Sequence, residues 1–175
     1  MTPARGPAER RGLVVGFGNV LRSDDGVGFA TVERLEADPR LVNALASGQL
    51  RVLWAQQLTP ELAVDFAAAE IVVLVDANVD LAPGEVRVEV VDVGSGAGAG
   101  AGAGAGMTHH VDATSVAAMA RDLFGGEPVV WVVGVGPASL DVGEELSAVV
   151  AAALPRVVET VVQLLGGTIG GSDAG

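Results

Sequence analysis

The chain has 175 residues, of which 50% are apolar and 18% charged, and its mean hydropathy of +0.47 is typical of one globular domain, which excludes a disordered tail. Its 22 acids and 10 bases give a net charge of -12, so phosphate backbones would be repelled and nucleic acid is not an expected partner. Cysteine is absent and every base is arginine, which excludes thiolate nucleophiles, cysteine-bearing metal sites, Schiff-base lysines and a phosphate-loop lysine.

The same composition suggests where the protein works. A chain without cysteine suits a reducing compartment, so we expect a cytoplasmic protein. No apolar run approaches the roughly 20 residues that span a bilayer, and no membrane association is expected.

Short apolar runs alternate with helical patterns along the chain. Strands are predicted at 13–16, 51–55, 71–75, 85–91 and 129–135, and helices at 27–35, 62–69, 114–124 and 146–165. Thr59 is expected to cap the second helix, with Pro60 at its first position, and Pro155 to kink or restart the last. Strands that alternate with helices predict a doubly wound α/β sandwich.

The pattern predicts one domain at 12–166 with tails at 1–11 and 167–175. The run at 94–106 reads GSGAGAGAGAGAG, which is typical of a flexible surface loop inserted in that domain.

Polar residues that follow the predicted strands are the first candidates for a functional site, because ligands of such sheets collect beyond the carboxyl ends of the strands. These residues are Asn19, Asp24 and Asp25 after the first strand, Gln56 and Gln57 after the second, and Asp76 and Asn78 after the third. The two histidines, His109 and His110, are expected on the loop before the third long helix.

Each candidate also has a structural interpretation. Asp24 and Asp25 stand where a helix N-cap is expected, which explains one acid better than two. Asp76 either caps the following turn or forms the floor of a cleft. A dinucleotide-binding interpretation of Gly16 and Gly18 fails, because Leu21 occupies the place of the third glycine and two acids stand at the helix entry.

Two carboxylates and one imidazole, from Asp25, Asp76 and a histidine, form an oxygen and nitrogen donor set that suits a borderline divalent metal. No serine lies in a G-x-S-x-G elbow. If the protein is a hydrolase, activated water is therefore the more plausible nucleophile.

Five motifs, in this order, resemble those of the endopeptidases that mature the large subunit of nickel-iron hydrogenases. They are GFGNVLRSDDGVG at 16–28, QLTPELA at 57–63, IVVLVDA at 71–77, THHVDATSV at 108–116 and VVGVGPASL at 132–140. The resemblance implies a single-domain three-layer sandwich, in which helices cover both faces of a five-stranded, mostly parallel, twisted sheet.

The resemblance also assigns roles to residues. Asp25, Asp76 and His109 would gather around one metal-binding position, with Asp25 and Asp76 as the catalytic carboxylates. His110 is the reserve for His109, and Gly16, Gly18, Asn19 and Asp24 support the site.

The activity that the resemblance implies is removal of a short C-terminal extension from the nickel-loaded precursor of a hydrogenase large subunit. Nickel would come with the substrate and act as the recognition signal, and no organic cofactor is expected. We expect a monomer. Two alternatives remain: a non-hydrolytic nickel-sensing or hydrogenase-assembly module that uses the same residues, and a nucleotide-binding domain.

Overall fold

Five strands and five helices make up the part of the chain that this computed structural model describes, residues 11–92 and 108–169. The strands are β1 Gly12–Phe17, β2 Leu50–Ala55, β3 Ile71–Ala77, β4 Val86–Val91 and β5 Val129–Val135. The helices are α1 Val27–Glu36, α2 Val42–Ser47, α3 Leu62–Ala68, α4 Thr108–Phe124 and α5 Ala148–Ile169. A 3-10 turn, Ser23–Gly26, leads directly into α1.

The strands form one sheet in the order β2-β1-β3-β5-β4. β1, β2, β3 and β5 are parallel, whereas the edge strand β4 runs antiparallel to β5. The predicted mostly parallel α/β sheet is therefore confirmed. Four strands end at the same edge, so the residues after β1, β2 and β3 come together there.

Side chains alternate between the two faces of the sheet and build a core on each. On one face α1, α2 and α5 pack against Val14, Val73, Val75, Val133 and Val135. On the other face α3 and α4 pack against Leu13, Val15, Phe17, Val72, Leu74, Val130 and Val132. The central strands are almost entirely apolar because both of their faces are buried; Asp76, near the end of β3, is the exception.

The start of one helix and the cap of another differ from the sequence prediction. α4 begins at Thr108, so His109 and His110 lie in its first turn and the expectation of a preceding loop is wrong. α3 begins at Leu62 after Glu61, and no side chain caps it, so Thr59 is not its N-cap. Instead, the carbonyls of Thr59 and Pro60 accept hydrogen bonds from the amides of Leu62 and Ala63, which turns the chain without a capping side chain.

α5 is longer and more regular than predicted. It continues through Pro155 and ends at Ile169, three residues beyond the predicted domain end at 166. A proline inside a helix costs about 3 kcal/mol. Burial of Leu154 and Val157 on either side offsets that cost, at about 1.5–3 kcal/mol for each side chain.

No membrane-spanning segment was predicted from the sequence. Judged by length and composition only, α5 is long and apolar enough over Ala148–Gly166 to cross a membrane. This is weak evidence for a membrane span, because core helices of soluble proteins pass the same test. Val150, Val157 and Val161 are fully buried against the sheet, so α5 is a core helix of this domain.

The Gly-Ala run at 94–106 lies outside the described residues, as do most of both predicted tails. The domain boundaries and the loop therefore stay predictions. The short helix α2 was not predicted; its six residues carry too little periodicity to be recognised.

Two glycines allow α1 to sit directly on the sheet. A Cβ on Gly28 would lie 2.5 Å from the backbone nitrogen and oxygen of Phe17, and one on Gly16 would lie 2.1 Å from the carbonyl oxygen of Gly28. This close approach positions the turn before α1 above the end of β1. The glycines of the first motif serve backbone packing here.

We predict that Gly28→Ala lowers the free energy of unfolding by about 2–4 kcal/mol, since the new methyl group meets backbone atoms that cannot move independently. Urea unfolding measures the change. Gly166→Ala is the matched control, because nothing lies within 4 Å of the added Cβ and alanine favours the helix by about 0.5–1 kcal/mol. Equal stability of Gly28→Ala and wild type would contradict this packing argument.

Candidate active site

A cleft of about 790 Å³ opens at the carboxyl ends of the parallel strands. Its walls come from the segments that follow β1, β2 and β3 and from the loop after β5. The lining residues are Gly18, Asn19, Arg22, Asp25, Ala55, Gln56, Gln57, Thr59, Leu62, Ala77, Val79 and Leu140. The expectation that polar residues after the strands line a cleft is confirmed for Asn19, Asp25, Gln56 and Gln57.

The loop after β1 holds the Asp25 side chain at this cleft. The backbone amide of Asn19 donates a hydrogen bond of 2.8 Å to Asp25 Oδ2, and Asn19 Oδ1 accepts one of 2.9 Å from the amide of Leu21. Gly18 has φ +126°, and a Cβ there would lie 2.0 Å from the Asp25 carbonyl oxygen. The loop thus needs glycine at 18 and asparagine at 19 to hold Asp25 in place.

Asp24 has a different role from its neighbour. Its side chain is fully buried, and its carboxylate accepts four hydrogen bonds from the loop after β5. The donors are the amides of Ala138 (2.8 Å), Ser139 (3.0 Å) and Ser147 (2.7 Å) and the Ser147 hydroxyl (2.8 Å). We call this arrangement the Asp24 clamp.

The capping interpretation of Asp24 and Asp25 is wrong. Gly26 is the N-cap of α1, and no side chain bonds to the first amides of that helix or of the preceding turn. Burial acts to raise the pKa of Asp24, but the bonds from Ser139, Ser147 and Ala138 outweigh it, so the pKa lies below its usual value. Asp24 is therefore held as a buried anion by the donors around it.

Asp76 is the penultimate residue of β3 and is only 4% exposed. Its Oδ1 accepts a hydrogen bond of 2.8 Å from the amide of Ala77, which lines the cleft. Burial, followed by the negative charge of Asp25, raises the pKa of Asp76 well above its usual value. Asp25 lines the cleft, whereas Asp76 is buried beside the cleft residue Ala77, near enough to Asp25 for that charge to act on it.

The backbone places the histidines at the same end of the fold. α4 leads into β5, so its last turn lies near the start of that strand and its first turn lies toward the carboxyl edge. The 17 residues of α4 extend about 25 Å, which is enough to run the length of the sheet. The side chains of His109 and His110 lie outside the described part of the structure, so their metal-binding roles stay predictions.

The described side chains include only part of the donor set predicted from the sequence. No group of three His, Cys, Asp or Glu side chains that could hold a metal ion occurs within 11–92 and 113–166, the ranges whose side chains are described. Asp25 and Asp76 alone supply two oxygen-donor side chains. A divalent ion held only by these two carboxylates would need further ligands, from His109 or from the ion's own carrier.

Several site residues were missed by sequence reasoning. Arg22 lines the cleft, and its Nε donates to the carbonyl of Leu140 at 3.2 Å. Ser147 and the amides of Ala138 and Ser139 complete the Asp24 clamp. The segment 132–140 was identified as a motif, but its contacts with Asp24 are made by backbone amides. Backbone amides are present at almost every residue, so the sequence does not show which of them bind Asp24.

This fold is also the fold of solved hydrogenase maturation proteases. No protein-family model and no curated protein matches the sequence. Among solved structures, it is similar to the hydrogenase maturating endopeptidase HybD from E. coli, with a TM-score of 0.67 and 24% identity over 89% of this chain and 91% of that one.

Two archaeal structures are also similar. The hydrogenase maturation protease HybD from Thermococcus kodakarensis has a TM-score of 0.61 and 24% identity over 88% of this chain and 98% of that one. The hydrogenase maturation protease HycI from the same organism has a TM-score of 0.62 and 21% identity over 91% of this chain and 94% of that one. The resemblance drawn from the five motifs is thereby confirmed at the level of the fold.

We predict that Asp24→Asn lowers the free energy of unfolding by about 2–4 kcal/mol at pH 7, because the amide group cannot accept all the bonds that the carboxylate accepts and leaves a buried donor unpaired. Urea unfolding of both proteins gives the difference. Asp25→Asn is the control: its partly exposed side chain accepts one described bond, so a change below about 1 kcal/mol is expected.

The effect of Asp24 should also depend on pH. A carboxyl with a lowered folded pKa contributes stability that is fully present above its unfolded pKa of about 3.9 and is lost as the pH falls through the folded value. The difference between wild type and Asp24→Asn should therefore shrink below about pH 4. A difference that stays constant from pH 7 to pH 3 would contradict the charged clamp.

Proposed function

We propose that this protein is an endopeptidase that removes a short C-terminal extension from the nickel-loaded precursor of a hydrogenase large subunit. The observation that carries the proposal is the Asp25–Asp76 pair at a cleft large enough for a peptide. The similarity of the whole fold to solved hydrogenase maturation proteases supports the choice of substrate.

The two carboxyl groups suit proton transfer at a scissile amide. Asp25 reaches the cleft directly, whereas Asp76 is buried and its pKa is raised. Groups with displaced pKa values in clefts are typical of acid–base catalysts. The chain has no cysteine and no serine in a G-x-S-x-G elbow, which favours water as the attacking group in the proposed reaction.

In the proposed reaction one carboxylate takes a proton from a water molecule as its oxygen attacks the carbonyl carbon of the scissile bond. The carbon–nitrogen bond then breaks, and the proton passes to the leaving amine. The products are the shortened subunit with a new C-terminal carboxylate and the free extension.

Nickel belongs to the substrate in this proposal. Asp25 and Asp76, with His109 expected to join them, form a donor set without thiolates that would hold a free ion weakly. The same donors can complete the coordination of an ion that the precursor already holds. Only a nickel-loaded precursor would then be held in the orientation that is cleaved.

We predict that the double variant Asp25→Asn/Asp76→Asn slows cleavage by about 10²–10⁴-fold, the usual contribution of acid–base groups. Intact-mass analysis of the precursor gives the rate. Because burial and the charge of Asp25 disfavour the ionised form of Asp76, neutral amides at both positions should leave the melting temperature unchanged or higher, which separates lost chemistry from lost folding.

The matched control is Glu36→Gln/Asp80→Asn, which replaces two exposed carboxyl groups with amides and should cleave at the wild-type rate. Full cleavage by the Asp25→Asn/Asp76→Asn variant would overturn the proposed roles of the pair.

We further predict that wild-type protein shortens a cognate precursor only after nickel loading, as measured by intact mass with and without the metal. Cleavage of the nickel-free precursor would show that the metal is not the recognition signal. Stable binding to the loaded precursor with no mass change would favour a non-hydrolytic assembly module.

A further inference from the structure

Arg22 is the one cationic side chain among the described residues that line the cleft. It lies in the turn that holds Asp25: the amide of Asp25 donates to the Arg22 carbonyl at 3.0 Å, so the two Cα atoms are within about 7 Å. Both side chains therefore border the same part of the cleft.

The Arg22 guanidinium is anchored at one nitrogen and open at the other two. Its Nε donates to the carbonyl of Leu140, and neither terminal nitrogen bonds to a described residue. Other arginines of the described chain do form ion pairs with acids: Arg40 with Asp38 and Glu159, Arg51 with Asp65, Arg87 with Glu85 and Arg121 with Asp122. Arg22 forms no ion pair with a described residue, and the same is true of Arg11, Arg34 and Arg156. Arg22 differs from those three because it lines the cleft.

We infer that Arg22 binds a carboxylate of the peptide substrate and positions the scissile bond beside Asp25; this inference rests on the proposed peptidase function. A guanidinium fixed at Nε presents its two terminal N–H groups as a fork, which matches the two oxygens of a carboxylate. The net charge of -12 repels acidic peptides from most of the protein surface. Arg22 therefore determines where an acidic group of the substrate binds in the cleft.

The carboxylate has two possible sources on a peptide: an acidic side chain near the cleavage site, or the terminal carboxylate of the extension. Both present the same fork of oxygens to Arg22. Their positions in the substrate differ, so substrate variants distinguish them.

The test measures KM and kcat for cleavage of the nickel-loaded precursor by wild type and Arg22→Gln. Loss of one charged contact to the substrate should raise KM about 10- to 100-fold with little change in kcat. Added salt should raise the KM of wild type but not of Arg22→Gln, since it screens an exposed charge pair. A fall in kcat at unchanged KM would overturn the inference, because it would place Arg22 at the transition state.

Ser23→Ala is the matched control for the loop itself. The Ser23 hydroxyl donates to the Asp141 carbonyl at 3.1 Å, so this variant removes one side-chain bond between the same two segments while keeping the cleft charge. A wild-type KM for Ser23→Ala supports a direct substrate contact. An equal rise in KM for both variants would show that Arg22 acts only by holding the loop.

Two modified precursors identify the source of the carboxylate. One has a C-terminal amide, and the other has its acidic side chains near the cleavage site changed to amides. The modification that removes the contact should raise the wild-type KM to the Arg22→Gln value. If neither does, the inference is wrong.

Binding of fluorescently labelled precursor by anisotropy separates this inference from the proposed function. Absence of cleavage by wild type would refute the peptidase. A weaker affinity of Arg22→Gln for the labelled precursor would still support the contact, and equal affinities would refute it.

Discussion

The cleft depends on one buried charge, the carboxylate of Asp24. It accepts three backbone amides and one hydroxyl from a loop that lies more than a hundred residues further along the chain. Backbone bonds beside it continue the connection, from Ser23 to Gly143 at 2.7 Å and from Gly143 to Leu21 at 3.0 Å. Because the loops after β1 and β5 are joined in this way, they form one wall, and Arg22 and Asp25 keep fixed places on it.

Asp24 and Asp76 show how one fold gives two acids opposite properties. Donors surround Asp24, so its charged form is favoured and its pKa is lowered. Asp76 is buried near Asp25, and its pKa is raised. The contribution of Asp76 to stability therefore falls as the pH rises above about 3.9 toward its folded pKa. Ionisation of the buried Asp76 therefore destabilises the fold next to the cleft. Destabilising groups of this kind are common at functional sites.

The fold was predictable because its signals are local. Short apolar runs, and at 85–91 an alternating pattern, predicted the five strands, and the unbroken run at 71–75 identified the central strand β3. The start of α3 at Leu62 was predicted, but its cap was not, since the turn before it is held by bonds between backbone atoms alone. The start of α4 at Thr108 was also not predicted.

The candidate site was predictable only in part. Asp25 and Asp76 follow strands, and the parallel topology brings such positions to one edge. The separate role of Asp24 was hidden, because its partners are amides that lie 114 to 123 positions away in sequence. The sequence does not distinguish Arg22 from other surface arginines. Its place in the cleft depends on the hydrogen bond from its Nε to the carbonyl of Leu140, which is distant in sequence.

The distance in sequence between Asp24 and its partners has a consequence for synthesis of the chain. At about 5–20 residues per second, the ribosome needs roughly 6–25 s to make the 123 residues that separate Asp24 from Ser147. Until then, the Asp24 carboxylate lacks its two Ser147 donors and is solvated by water at those positions. Contacts of this range are formed slowly and late in folding. The wall that joins the loops after β1 and β5 is therefore completed only when most of the chain has been made.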